Sequence, residues 1–137
     1  MGLDVGDKRV GVALSDPQGI LASPLTIINC AGGTADLEAI VNIVDRYQVE
    51  QIVVGLPRSM DGSLGRQAEK VKAFTENLSS RTEVPTVFRD ERLSTVSARR
   101  LMRPVRTGKA REKTRYDAVA AALILQAYLD EEQPPVD

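Results

Sequence analysis

"MGLDVGDKRVGVALSD" (residues 1–16) is the stretch on which the fold turns. Two short runs, "GLDV" and "VGVALSD" (10–16), flank a "GDKR" segment whose Gly and Asp suit a tight hairpin. The first run carries an aspartate, Asp4, among apolar residues. A strand entering a core wants Val, Ile or Leu at every inward position. An unpaired buried carboxylate is too costly, so Asp4 must be solvated, paired or bound to a cation.

Working outward, "SPLTIIN" (23–29) reads as a third strand, which makes the opening an antiparallel meander. The period then changes. Leu37, Ile40, Val41 and Val44 fall at helical spacing between Asp36 and Tyr47, with Thr34 or Asp36 placed to cap the helix. "EQIVVGLP" (50–57) is a continuous apolar run typical of a buried parallel strand. Residues 58–65 form a loop, and 66–81 form a helix with Val71, Phe74 and Leu78 on one face. "PTVFRDE" (85–91) is a further strand and "STVSARRLM" (94–102) a short helix. Residues 103–115, with Pro, Gly and many cations, read as a mobile loop. A long helix, apolar nearly all round, follows at 116–132. The expected fold is α/β, one mixed five-stranded sheet with three antiparallel strands followed by parallel ones, and helices on both faces. Residues 1–137 read as one domain.

The 137 residues contain no histidine and one cysteine, Cys30. That removes Ser-His-Asp and Cys-His catalysis, the usual zinc sites and any intrachain disulfide. Catalysis in such a chain runs on carboxylates, hydroxyls, lysines or a metal held by oxygen. The start has no basic region and no long apolar run, so no signal peptide is expected, and a cytoplasmic location is. Net charge is −1, yet Arg99, Arg100, Arg103, Arg106, Lys109, Arg111, Lys113 and Arg115 lie within one segment with Glu112 as its only acid. A local basic segment is the electrostatic footprint of a nucleic-acid partner more than the total charge is.

Three acids stand beside strongly apolar sequence: Asp4 on the first strand, Glu91 after the last, and Asp117 at the start of the final helix. Sites in open sheets gather at the carboxyl ends of parallel strands, which brings Asp4, Gly55 and Glu91 to one edge. Carboxylates packed together repel, and oxygen ligands without His or Cys select Mg²⁺ or Mn²⁺, one ion or two. Plainer roles stay open for each acid: a turn carboxylate for Asp4, a helix cap for Asp117, a surface ion pair with Arg92 for Glu91.

"GLDVGDKRVGVALSD", "IVVGLPRSMDGSLG", "DERLST" and "YDAVAAALILQAYL" closely resemble the signature segments of the YqgF/RuvX family, in order and over nearly the whole chain. These are small bacterial proteins with an RNase H-like fold, similar to Holliday junction resolvases. They are regarded as nucleases that mature the 5′ end of the 16S ribosomal RNA precursor. The resemblance implies catalytic, metal-binding roles for Asp4, Glu91 and Asp117. It implies that Arg92 and Thr95 hold backbone phosphate or orient Glu91. The charge of the basic segment, for its part, would set Arg99, Arg103, Arg106, Lys109, Arg111 and Lys113 on the phosphates of the nucleic acid. Two features depart from the family pattern. The first strand opens two or three residues later than is usual, and the fourth ends in Gly55 where true junction resolvases carry an acid.

The expected function is a metal-dependent endonuclease acting on structured RNA, as monomer or homodimer. Its alternatives are a resolvase of four-way DNA junctions and a non-catalytic nucleic-acid-binding module in transcription or ribosome assembly. The opening segment also resembles the phosphate loop of sugar kinases and actin-like ATPases. Those proteins enclose ATP between two such domains, and 137 residues hold one.

Overall fold

The structure, a computed structural model, describes residues 1–30, 34–57, 65–90 and 109–132, with side chains in the last stretch described from Ala118 onward. β1 (Gly2–Val5), β2 (Arg9–Ser15) and β3 (Ala22–Asn29) form the antiparallel meander. The first turn closes where the Gly6 N–H donates to the Arg9 carbonyl at 2.8 Å. After α1 (Ala35–Tyr47) the chain returns as β4 (Ile52–Leu56), parallel to β1. After α2 (Arg66–Ser79) it returns as β5 (Thr86–Asp90), parallel to β4. The sheet order is β3-β2-β1-β4-β5, and α3 (Lys109–Glu132) completes the described elements.

Strand alternation divides the core in two. Leu3, Val5, Val10, Val12, Ile52, Val54 and Leu56 face α1 and α2, where they meet Leu37, Ile40, Val44, Val71 and Leu78. Ala13 and Val53 face the other way, against Ala121, Ala122, Ile124 and Leu125 of α3. The helices therefore lie on both faces, as the sequence pattern implies. The all-buried burial of β4 explains its unbroken apolar run: it is covered on both sides.

Three local expectations change. Thr34 is the N-cap residue of α1, but its side chain makes no capping hydrogen bond; the backbone leaves Thr34 near-helical, where the hydroxyl is badly placed to reach back. α2 stops at Ser79, two residues early. More consequentially, α3 begins at Lys109, not at Tyr116. Gly108 and Pro104 mark the break in sequence, but Ala110, Arg111, Glu112 and Lys113 are all good helix formers, and their charge masked that propensity. The expected loop is helical in its second half. The helix expected at 94–102 lies outside the described residues.

The packing fixes the direction of α3. Gln126 bonds the start of β3: its Oε1 accepts from the Ala22 N–H and its Nε2 donates to the Ile20 carbonyl, both at 2.8 Å. Ala22 stands opposite Ser15, at the end of β2 that flanks the amino end of β1. The C-terminal half of α3 therefore covers that end of the sheet, and its N-terminal half rises toward the carboxyl end of β1. Among the described residues no helix is long and apolar enough to cross a membrane.

Candidate active site

Leu3 and Val5 are buried against α1 and α2, so alternation puts Gly2 and Asp4 on the α3 face. Gly2 confirms the parity, because a Cβ there would stand 2.7 Å from the Ala121 carbonyl oxygen and 2.8 Å from Leu125 Cβ. Asp4 comes one step further up the same face and is partly exposed.

The strand registers place what surrounds it. Asp4 is opposite Gly11, and Gly11 is opposite Ile27. On the other side Leu3 is opposite Val54, so the next step sets Asp4 beside Gly55, which is opposite Arg89. Cross-strand partners share a face. The row on the α3 face thus reads Ile27, Gly11, Asp4, Gly55, Arg89, with a carboxylate between two residues that have no side chain. The row below it, Ala13, Gly2, Val53 and Val87, is small and apolar and carries α3.

The carboxyl end of β1 is held from α2. Gln67 Nε2 donates to the Val5 carbonyl at 3.3 Å, and Lys70 Nζ reaches Asp7 Oδ1 at 3.2 Å. Both partners of that ion pair are exposed, so it contributes little to stability, though it does orient the turn after Asp4. Arg89 is committed elsewhere. Its guanidinium pairs with Glu131 at 2.8 Å near the end of α3, and its Nε is buried with no hydrogen-bond partner among the described residues.

Asp117 lies within α3 by its backbone, eight residues past Lys109 and one turn before Ala121. Two residues of strand span about 6.6 Å, and four residues of helix about 6 Å. The step from Gly2 to Asp4 along the strand is thus matched in length by the step from Ala121 back to Asp117 along the helix backbone. The helix-cap explanation of Asp117 is corrected by the same fact, since a residue eight positions inside cannot cap the first turn. An interior Asp is not favoured by helix propensity and needs another reason for its place.

Glu91, Arg92, Thr95, Arg99, Arg103 and Arg106 lie outside the described residues, Glu91 directly after β5. Lys109, Arg111 and Lys113 fall in the first two turns of α3. Among the described residues no group of three metal-ligating side chains is assembled. Cys30 packs with the α1 and α2 face, opposite Asp4, and burial followed by the Asp36 carboxylate pushes its thiol up to about 11. A concavity of about 950 Å³ sits at the amino ends of β1 and β4, lined by Leu14, Asp16, Tyr47, Gln51, Leu125 and Tyr128, away from Asp4. Its Asp16 carboxylate is occupied by the N–H groups of Ile20 and Leu21, which hold it below the usual range.

The part of the site missed by sequence reading is Gly11, and with it the symmetry of the glycine flank. Its signal was available in "RVGVALS": Val10 and Val12 alternate inward, and Gly11 interrupts the other face.

A model of the RuvX family, described as Holliday junction resolvase, matches residues 1–131. A protein of Moorella thermoacetica named "Putative pre-16S rRNA nuclease" is 52% identical over 130 residues, covering 95% of this chain and 93% of that protein. One of the same name from Dehalococcoides mccartyi is 50% identical over 131 residues, covering 96% and 97%. Among solved structures, Thermus thermophilus RuvC superposes with a TM-score of 0.54 at 14% identity, covering 94% of this chain and 95% of that one. The complex of T. thermophilus RuvC with a Holliday junction substrate gives 0.56 at 16%, covering 98% and 97%. At such identities the likeness concerns the fold.

Proposed function

This chain belongs to the RuvX family, and from that premise we propose that it is a nuclease cutting phosphodiester bonds in the 16S ribosomal RNA precursor, at the 5′ side of the mature sequence. The observation that carries the reading is Asp4, a carboxylate in mid-sheet between Gly11 and Gly55, on the sheet face that α3 covers.

Asp4, Glu91 and Asp117 are the groups that would hold one or two divalent cations. The donor chemistry fits Mg²⁺ or Mn²⁺: the chain has no histidine, and its one thiol sits on the opposite face, neutral at ordinary pH. When bound, such an ion supplies charge to activate the attacking water and to stabilise the departing 3′ oxygen. The glycine flank puts no side chain of β2 or β4 beside Asp4, where a sugar-phosphate backbone would approach. Arg92 and Thr95 orient Glu91 or the phosphate beside it. Arg99, Arg103, Arg106, Lys109, Arg111 and Lys113 bind the strand on either side of the cut.

The beginning of α3 supports that last assignment. Cations in the first turns oppose the helix dipole, an arrangement that a bound polyanion relieves. With ~5 phosphates neutralised, binding to a single strand has a salt slope near −3.5, so a fourfold rise in salt weakens it roughly a hundredfold.

The test is cleavage of a ribosomal RNA precursor fragment and of a four-way DNA junction, with Mg²⁺, Mn²⁺ or EDTA, beside Asp4→Asn. The expected result is metal-dependent cutting of the RNA. The variant should lose at least ~10³-fold, about 4 kcal/mol of transition-state stabilisation, and still bind RNA in EDTA. Equal cutting by variant and wild type sinks the reading. The family's description favours a second substrate, the four-way junction. Cutting of the junction alone, by a stable two-fold dimer that can make paired nicks, would select it.

A further inference from the structure

At Gly2, α3 lies against β1 with no room for a side chain between them. A Cβ on Gly2 would meet the Ala121 carbonyl oxygen at 2.7 Å and Leu125 Cβ at 2.8 Å. Real Cβ atoms essentially never come so near, and neither neighbour is the free end of a flexible side chain. Ala13, opposite Gly2 on β2, continues the small floor and is fully buried. Ala121 is the residue one turn after Asp117, and Gly2 is two residues before Asp4.

We propose that Gly2 is a positioning residue of the nuclease site: its missing side chain sets how deep α3 lies on the sheet, and thereby how far the helix backbone at Asp117 stands from β1 at Asp4. This rests on the proposed metal-binding role of those two acids. The reasoning is geometric. α3 is a stiff rod, so a displacement imposed at Ala121 carries to Asp117 one turn away almost undiminished. Asp4 is fixed independently, by its ladder to β2 and by the brace from Gln67 on Val5. Lifting the rod therefore moves the α3 backbone at Asp117 away from β1 at Asp4 instead of moving both. A metal ion held at about 2.1 Å by each ligand tolerates little of that.

The experiment is Mn²⁺ titration of the full chain, without nucleic acid, read by electron paramagnetic resonance and accompanied by thermal melts. Its arms are wild type, Asp4→Asn, Gly2→Ala, and Leu78→Ala as a control of comparable destabilisation on the opposite face. Gly2→Ala should weaken Mn²⁺ binding at least tenfold while remaining folded, whereas Leu78→Ala lowers the melting temperature and leaves Mn²⁺ affinity within twofold of wild type. Should Gly2→Ala not fold, Ala13→Val, which thickens the same floor from the neighbouring strand, is held to the same expectation. Wild-type affinity in a folded floor variant overturns the proposal, and so does an equal loss in Leu78→Ala. If wild type binds no Mn²⁺, or Asp4→Asn binds it equally well, the metal-site reading itself fails and takes this inference with it. A failure confined to the floor variants leaves that reading standing.

Discussion

Replacing Ile124 by alanine should cost about 3–4 kcal/mol. The α3 layer is built largely from small residues, namely Gly2, Ala13, Ala121 and Ala122, so few large side chains hold the helix down. Ile124 is one of them and is fully buried. Alanine removes three carbons, about 2.4 kcal/mol at ~0.8 per methylene. A cavity term adds to this, because Val53 is held by the sheet and the surrounding alanines cannot swing into the space. For a chain of this length the loss corresponds to a melting temperature lower by roughly 10–14 °C. Urea unfolding followed by far-ultraviolet circular dichroism measures it, with Leu21→Ala, a 61% exposed position, expected within about 0.5 kcal/mol of wild type. Since α3 carries Asp117, cleavage by Ile124→Ala should fall off at lower temperature than in wild type, in step with its unfolding. A loss below about 1 kcal/mol, with an unchanged denaturant slope, would falsify the packing assigned to α3.

Gln126→Ala should cost about 1–2 kcal/mol by releasing the Ala22 and Ile20 backbone groups that its amide satisfies, measurable in the same urea series. Cys30 should react slowly with iodoacetamide at pH 8 in the folded protein and rapidly in urea, since burial and Asp36 push its thiol up to about 11. An acid group whose folded pKa is raised favours the folded state while neutral. The Cys30 contribution is therefore complete below the ordinary thiol value of 9.0 and is lost as pH rises toward about 11, which urea midpoints at pH 8 and 10.5 will show against Cys30→Ala.

The amino-acid pattern alone is enough to define most of this protein. Alternation in "GLDV" and "RVGVALS" reports two opposed faces, because strand geometry forces successive side chains apart. The unbroken run of β4 reports burial on both sides, and the spacing of Leu37, Ile40 and Val44 reports a one-sided helix. These are local consequences of backbone geometry, so they survive without knowledge of neighbours. The absence of histidine likewise limits the chemistry before any folding is considered. What stayed hidden depends on register and on contacts between distant residues. That Gly11 and Gly55 flank one carboxylate follows only once β2 and β4 are aligned on β1. The start of α3 was obscured because dense positive charge reads as a solvated loop, whereas helix propensity there is good and the packed half of the helix extends it. Gly2 carries no local signal of its role. Its consequence, a helix backbone too close for any side chain, exists only where residues 2 and 121 meet, and no local pattern in either segment encodes that meeting.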